Sequence, residues 1–330
     1  MIRWEEVEDP TCGPDDVLVD VRACGVNHSD LDSRAGTSRW PFTMPWVLGA
    51  EFAGTVAEIG GDVEGITVGD PVTAYQQYAC GGCVRCANWR EDLCERFTVF
   101  GTDCWGGYAE LVRVPARAVI PLRDEADFVP AAAAQCAVST AWSMVTSVAG
   151  VRPGETVLVP SASGGVASAI VQAAKIAGAR VVASVGSPEK MELVRALGAD
   201  AVFCYRETAV GDAVRAATDD GGVDAVLDTT GGPLFADHLA ALRPDGRLVT
   251  CGAHAGEVVS LDIIELFRNG RRILGFRVAS PEEIRTALGL GLDGAITVPV
   301  ARTFPLSEAG AAHAFVDEHR HVGKVVLMRE

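Results

Sequence analysis

Positive charge is scarce in this sequence. Its 330 residues include 28 Lys and Arg against 44 Asp and Glu, a formal net charge of −16, and only three residues are lysine. Nucleic-acid affinity comes mainly from clustered basic residues that neutralise phosphates, so we do not expect a nucleic-acid partner. The first residues also lack the basic and apolar regions of a secretory signal peptide. We therefore expect a cytoplasmic protein with reduced thiols.

Two further features test this expectation of a soluble protein. Ten cysteines are few for a disulfide scaffold in a chain of this length. One run without charge, from Phe128 to Val151, is long enough to cross a bilayer. It is, however, rich in Ala, Ser and Thr and opens with Pro130, which suits the first turn of a helix. We expect a buried helix and no membrane association.

The pattern of short apolar segments predicts two domains. A chain of 330 residues exceeds the size at which one hydrophobic core usually stops growing. Residues 16–120 are typical of an all-β domain with Gly, Pro and Asp turns. From residue 151 onward, strands alternate with helical segments, which predicts a doubly wound parallel sheet. The predicted strands lie at 17–22, 53–59, 71–74 and 109–114, and then at 156–159, 180–185, 201–205, 225–228, 247–251 and 272–276.

Four cysteines form the most specific short motif. Cys80, Cys83 and Cys86 are followed by Cys94, a spacing at which four thiolates close a tetrahedral shell around one zinc ion. A complete sulfur shell leaves no position for water or substrate, so such a site is structural. Free or disulfide-bonded thiols are the alternative, which a reducing compartment disfavours. The sequence predicts one structural zinc per chain.

A glycine turn predicts a dinucleotide site. After the strand at 156–159, the chain reads Ser-Ala-Ser-Gly-Gly-Val-Ala over 161–167 and continues into a predicted helix at 169–177. Such glycines let backbone amides approach a pyrophosphate, and the helix N-terminus favours its charge. The motif is imperfect, because only Gly164 matches a glycine of the usual fingerprint. The candidate cofactor-binding residues are Gly164, Gly165 and Val166.

The residues after the next two strands favour NADPH over NADH. An NAD enzyme places an acidic residue after the second strand, against the ribose hydroxyls. This chain instead has Ser187 and Lys190, and Tyr205 and Arg206 follow later. These side chains supply donors and positive charge for a 2′-phosphate. A solvated helix lysine accounts equally well for Lys190 taken alone.

The order of these features resembles the medium-chain dehydrogenase/reductase superfamily, which includes zinc alcohol dehydrogenases and zinc-free quinone oxidoreductases. The resemblance covers essentially the whole chain, although the opening is about one strand shorter than the family pattern. It implies an α/β protein with a β-rich GroES-like catalytic domain at 1–130 and 276–330 and a Rossmann domain at 131–275. It also implies a small-molecule substrate and a homodimer or homotetramer. The matching segments are 25–30, 48–54, 106–110, 164–166, 197–200, 228–232, 246–249 and 323–327.

The resemblance also shows where the family's catalytic zinc would be held. The family's Cys, His and later Cys match Asn27, Ala50 and Cys136 of this chain, and Glu51 follows Ala50. Two of the three ligands are therefore missing, which implies that no catalytic zinc is bound. An atypical zinc shell of His28, Glu51 and Cys136, in an alcohol dehydrogenase, is the alternative.

Without a metal Lewis acid, the expected chemistry is reduction of an activated C=C bond or a quinone. Hydride then goes to carbon, and charge spreads to an oxygen that hydrogen-bond donors stabilise. Asn27 is the candidate donor, and Ser29 is the candidate to donate or relay a proton. The alternatives are a backbone-capping Asn27 and a helix N-cap at Ser29-Asp30. The same scaffold also suits an NADPH-binding protein or a non-redox pathway enzyme.

Further positions are implied by the resemblance. Thr140 matches a position near the nicotinamide, and Lys324 matches one that reaches the cofactor phosphates. A core threonine and a surface lysine are the alternatives. Trp40, Phe42 and Trp46 are candidates for an apolar substrate cleft, although aromatic residues between strands more often serve packing.

Overall fold

The computed structural model describes residues 2–39, 43–88, 90–219 and 221–329. It divides into two compact units, of which the first comprises Met1–Cys136, Ser280–Asp293 and Val300–Glu330. The second unit comprises Ala137–Ala279 and Gly294–Pro299. The sequence placed the domain boundaries after residues 130 and 275. In the structure, the chain leaves the first unit after residue 136 and returns to it after residue 279.

The first unit is built around a seven-stranded sheet. Its order is β14-β15-β1-β2-β3-β7, and β6 also pairs with β1. On β1, residues 17–19, 21 and 23–26 are buried, so both faces of most of this strand are covered. The strands of this sheet are β1 (Asp16–Val26), β2 (Glu51–Ile59), β3 (Pro71–Ala74), β6 (Leu111–Pro115), β7 (Val119–Pro121), β14 (Val300–Pro305) and β15 (Lys324–Met328). A separate two-stranded sheet pairs β4 (Gln77–Tyr78) with β5 (Thr98–Val99). The helices are α1 (His28–Ala35), α2 (Val84–Ala87), α9 (Pro281–Leu292) and α10 (Ala309–Asp317).

The second unit is built around a six-stranded parallel sheet in the order β10-β9-β8-β11-β12-β13. This order reverses between β8 and β11, as in a doubly wound dinucleotide-binding fold. The prediction of such a sheet is therefore confirmed. The strands are β8 (Thr156–Val159), β9 (Arg180–Val185), β10 (Ala201–Cys204), β11 (Val223–Asp228), β12 (Leu242–Thr250) and β13 (Arg272–Gly275). The helices are α4 (Gly165–Ile176), α5 (Met191–Ala196), α6 (Val210–Thr218), α7 (Phe235–Ala240) and α8 (Ile263–Arg268).

The uncharged run forms a long helix. It contains α3 (Phe128–Ser143), which continues into a π-helical stretch at Met144–Val148. By length and composition this helix could cross a membrane, but 72% of its most apolar window is buried inside the structure. A mostly buried helix of this kind is typical of the core of a soluble domain.

Candidate functional site

The ends of three neighbouring strands meet at one place in the first unit. Asn27 directly follows β1, Glu51 is the first residue of β2, and Lys324 is the first residue of β15. The antiparallel register pairs Gly25 near the end of β1 with Glu51, and the start of β15 also pairs with the end of β1. Three residues that are far apart in the sequence are therefore fixed beside one another by the sheet. We call Asn27, Glu51 and Lys324 the strand-end cluster.

Hydrogen bonds join all three members of the strand-end cluster. The Lys324 ammonium donates to Glu51 Oε2 at 2.5 Å and to Asn27 Oδ1 at 2.7 Å. Asn27 Nδ2 donates to Glu51 Oε2 at 3.1 Å. The other carboxylate oxygen, Glu51 Oε1, accepts the backbone N–H of Cys136 at 2.8 Å. Both oxygens of Glu51 are therefore occupied by donors.

This cluster is buried, which makes its charges strongly interdependent. Glu51 is 0% exposed and Lys324 is 6% exposed. Burial alone lowers the pKa of Lys324, but the charge of the Glu51 carboxylate, which also accepts its hydrogen bond, more than offsets this, so the pKa is raised above its usual value. Lys324 is therefore a permanent cation at neutral pH, held against one carboxylate.

Gly25 is needed for this close packing. A Cβ at that position would lie 2.7 Å from Glu51 Oε2 and 3.1 Å from the carbonyl oxygen of Ala132. Because the carboxylate is held by three donors, it cannot move away from an added side chain. The glycine thus allows β1 to approach the buried ion pair.

A second polar group lies next to the strand-end cluster. Asp30 accepts the backbone N–H groups of Asn27 and Gly49, and it also accepts the Tyr108 hydroxyl at 3.4 Å. The same hydroxyl lies 3.0 Å from His313 Nε2. Burial raises the pKa of Asp30 to about 6. Burial, assisted by Arg34, lowers the pKa of His313 to about 4, so the imidazole is neutral at physiological pH.

The structure brings some of the predicted catalytic residues together and separates others. Asn27 lies in the strand-end cluster and also precedes α1 as its N-cap residue. Ser29 is the second residue of α1 and is exposed, so the N-cap alternative for Ser29 is wrong. Trp46 is half-buried and donates its indole N–H to the carbonyl oxygen of Gly101 at 2.8 Å. Trp40 and Phe42 lie outside the described residues.

A catalytic zinc does not fit the strand-end cluster. Both Glu51 oxygens already accept hydrogen bonds, and a buried ammonium lies where it would repel a divalent cation. His28 stacks on His319 with ring centroids 6.0 Å apart. Within the ranges that the structure describes, the only group of three or more His, Cys, Asp or Glu side chains close enough to bind one metal ion is the four-cysteine group. The atypical shell of His28, Glu51 and Cys136 is thus not assembled.

The four predicted zinc-binding cysteines do converge. Their sulfur atoms all lie within 4.8 Å of one another, and the distances are 3.5 Å for Cys83–Cys86 and 3.9 Å for Cys83–Cys94. A tetrahedral site with Zn–S bonds of about 2.3 Å requires sulfur atoms about 3.8 Å apart. Backbone N–H groups, that of Cys86 first, lower the pKa of Cys83 to about 6, which favours a thiolate. The geometry therefore fits one structural zinc ion.

The predicted dinucleotide turn leads directly into a helix. α4 begins at Gly165, four residues earlier than predicted, because Gly164 takes the extended N-cap conformation. No side chain caps this end, and its first turn has no acidic residue. The first amides of a 12-residue helix, including that of Val166, are therefore available to an anion. These features fit the pyrophosphate of a dinucleotide.

The predicted 2′-phosphate residues lie at the ends of β9 and β10. Lys190 and Arg206 are close enough for the Arg206 charge to add to burial in lowering the pKa of Lys190. The Tyr205 hydroxyl is packed so tightly on Gly186 that an added Cβ would be 2.8 Å away. Two neighbouring cations with a phenol beside them form a surface that favours an anion. The remaining cofactor candidate, Thr140, is a buried residue of α3.

The sequence interpretation missed the principal contacts of Lys324. It gave Lys324 as a residue that reaches the cofactor phosphates, or else as a surface lysine. The side chain is buried, so the surface alternative is wrong, and the ammonium donates to Asn27 and Glu51. The association of Asp30, Tyr108 and His313 was also not anticipated. Strand register alone could have indicated the Lys324–Glu51 contact, because Lys324 is the first residue of β15 and Glu51 is the first residue of β2. No sequence signal pointed to the association of Asp30, Tyr108 and His313.

Comparison with known proteins identifies related chains along the full length. The family model for the alcohol dehydrogenase GroES-like domain matches residues 13–124, and that for zinc-binding dehydrogenase matches residues 165–292. An alcohol dehydrogenase from Geobacillus stearothermophilus is 34% identical, over 99% of this chain and 96% of its own. Acryloyl-coenzyme A reductase from Sulfurisphaera tokodaii is 28% identical, over 98% and 96%. The crystal structure of an NAD-dependent alcohol dehydrogenase superposes with a TM-score of 0.94 at 36% identity, covering 99% of this chain and 95% of that one.

Proposed function

The chain belongs to the medium-chain dehydrogenase/reductase superfamily and is an oxidoreductase of that type, and from this premise we propose that it uses NADPH to reduce an activated C=C bond or a quinone without a catalytic zinc. The observation that carries the proposal is the Lys324 ammonium, which donates to Asn27, the match to one metal ligand of the family, and to Glu51, the residue after the match to another. A buried cation and an amide donor are present there in place of a metal shell.

The residues of this chain have distinct roles in the proposed reaction. The turn at Gly164, Gly165 and Val166 would hold the pyrophosphate of NADPH, which would supply hydride chemistry for the β-carbon of the substrate. Asn27 holds the carbonyl oxygen through an Nδ2–H, and the adjacent Lys324 charge stabilises the negative charge that develops there. A proton from Ser29 or from solvent then completes the α-carbon. One hydride and one proton are thus added across the C=C bond.

The names of the relatives support two chemistries. The relative from S. tokodaii is named acryloyl-coenzyme A reductase, and an acryloyl group contains an activated C=C bond. The relative from G. stearothermophilus is named alcohol dehydrogenase. The strand-end cluster favours the first chemistry, because a simple alcohol or ketone depends more strongly on a metal ion to stabilise its alkoxide.

Zinc content and activity together test the proposal. We expect one zinc per chain by elemental analysis, with NADPH-dependent reduction of an enone such as 2-cyclohexen-1-one retained when weak chelators remove any further metal. Cys94→Ser, which removes one ligand of the structural zinc, is the matched control. It should lower both the zinc content and the stability of the protein. Two zinc ions per chain, with activity lost alongside the second, would support an alcohol dehydrogenase instead. Bound NADPH that no enone, quinone or aldehyde oxidises would support a non-redox role.

The choice of NADPH makes a separate prediction about Lys190 and Arg206. Replacing both by Ala removes two charge-assisted contacts to a 2′-phosphate, so the Kd for NADPH should rise about 10- to 100-fold. The Kd for NADH should stay within about twofold, because NADH lacks that phosphate. Fluorescence titration with both cofactors measures this, and Lys175→Ala, on α4, is the control. An equal loss for NADH and NADPH would contradict the assignment.

We also propose that the chain self-associates through the β13 edge of the second unit, in the cytoplasm. In the part of the chain that the structure describes, β13 pairs only with β12, so one edge is open for pairing. Exposed apolar side chains are close in sequence, on α8 and before it. They are Val258, Ile263, Ile264 and Phe267.

An open strand edge together with apolar side chains suits a second copy of the same surface. The Phe267→Glu variant should therefore shift the protein from dimer or tetramer toward monomer in analytical ultracentrifugation. The exposed Val84→Glu change, in the four-cysteine lobe of the first unit, is the control. A wild-type protein that is monomeric at micromolar concentration would refute this assembly.

A further inference from the structure

We infer that Lys324 is a positioning residue, which fixes the orientation of the Asn27 amide so that an N–H rather than the carbonyl oxygen is presented to the substrate. The inference rests on the proposed function and deepens it. It implies that the accepted substrates carry a hydrogen-bond acceptor, a carbonyl oxygen conjugated to the C=C bond. It also replaces the cofactor-phosphate role that the sequence suggested for Lys324.

The chemistry of an ammonium group determines the amide orientation. A lysine ammonium has three donors and no acceptor. The Asn27 atom at 2.7 Å from Lys324 Nζ is therefore the oxygen Oδ1. A flipped amide would place its NH₂ group against the ammonium, donor to donor, and would lose a buried charge-assisted hydrogen bond. Lys324 thus excludes the flipped orientation.

The Glu51 carboxylate also excludes the flipped orientation of the Asn27 amide. Asn27 Nδ2 donates one N–H to Glu51 Oε2 at 3.1 Å, whereas a flipped amide would place Oδ1 against that carboxylate oxygen. Nδ2 carries two hydrogens, and among the described residues Glu51 accepts only one of them. The remaining N–H is the donor available to a ligand. A substrate carbonyl is an acceptor and matches it.

The sheet keeps Lys324 and Glu51 in place. Glu51 Oε1 is held by the backbone N–H of Cys136 at 2.8 Å, and Gly25 leaves just enough room for Oε2. Lys324 and Glu51 each open a strand next to β1, so their backbones are fixed by strand pairing. The Lys324 charge also polarises the amide whose oxygen it contacts, which strengthens the remaining N–H as a donor.

The test separates positioning from cofactor binding. The Lys324→Met/Glu51→Gln double variant removes both charges, so no buried carboxylate is left unpaired, and Lys324→Arg is the conservative rescue. We expect the double variant to lose about tenfold or more in kcat with 2-cyclohexen-1-one, while Lys324→Arg retains most of it. The Kd for NADPH should change by less than about twofold in both. A raised Kd for NADPH with unchanged kcat would overturn the inference and restore the phosphate role.

A readout that is independent of turnover completes the experiment. The side-chain NH₂ signals of Asn27 can be assigned by their absence in the Asn27→Ala spectrum. In the wild-type enzyme with NADPH, we expect two well-separated proton resonances, and the pair should converge or broaden in the double variant. Unchanged resonances would overturn the inference even if the rate falls. If wild-type enzyme reduces no enone, the proposed function fails, whereas these resonances still report whether Lys324 orients the amide.

Discussion

The Lys324→Met variant is expected to be about 3–5 kcal/mol less stable toward unfolding than the wild-type protein. The Glu51 carboxylate is 0% exposed and loses its ammonium partner at 2.5 Å. A buried charge without a counter-charge is one of the most costly defects that a single substitution can create. Equilibrium urea unfolding of the zinc-loaded protein, followed by a probe in the first unit, measures the loss.

Lys175→Met is the matched control for this result. Lys175 also contacts a carboxylate, that of Asp200, at 2.8 Å, but the two side chains are 36% and 37% exposed. An exposed pair of this kind contributes at most about 1 kcal/mol. Adding Glu51→Gln to Lys324→Met should restore part of the lost stability, because the unpaired charge is then removed. Equal losses for the two lysine variants would show that the buried pair is not a structural element.

The pH dependence of this stabilisation has a defined sign. The Glu51 carboxylate raises the pKa of Lys324 above its unfolded value despite burial, which acts in the opposite direction. A group whose pKa is raised on folding contributes its full stabilisation below the unfolded pKa, about 10.4 for lysine. The contribution is lost as pH rises through the folded pKa. The stability difference between wild type and variant should therefore persist at neutral pH and decline only in strong alkali.

The Asn27→Ala variant is expected to lower kcat for enone reduction by about 10²- to 10³-fold, the usual effect of removing one donor from an oxyanion site. Binding of NADPH should change by less than about twofold. Steady-state kinetics with 2-cyclohexen-1-one and fluorescence titration with NADPH measure the two quantities. Asn269→Ala, at the C-cap of α8 in the second unit, is the control. A normal kcat in Asn27→Ala would show that the amide does not hold the reacting oxygen.

Sequence patterns were sufficient to predict the main strands and the four-cysteine site. Short apolar segments between turn residues predicted β1, and apolar segments separated by helical ones predicted the six parallel strands, because each strand carries its own local signal. The four cysteines lie within 15 residues, so their convergence also follows from local sequence. The start of α4 was misplaced because Gly164 acts as an N-cap without a side chain, which leaves no polar capping residue to mark it.

The strand-end cluster required tertiary information. Lys324 and Glu51 are 273 residues apart in the sequence, and no local pattern connects them. They meet because β1 pairs on one side with β2 and on the other with β15, in registers that bring their first residues to the end of β1. The Tyr108–His313 contact likewise joins residues 205 positions apart. Contacts of this kind depend on the register of a complete sheet.

The buried pairing of Lys324 with Glu51 also limits how readily this protein could acquire a catalytic zinc ion. Replacing Asn27 by Cys and Ala50 by His would restore the two missing ligand types of the family. A divalent ion held by the side chain at position 27 would then lie close to the resident Lys324 ammonium, which would repel it. We expect that such a double variant gains little affinity for zinc until Lys324 is also neutralised. The two chemistries are therefore separated by at least three substitutions, and the third lies on the last strand, far from the other two in the gene.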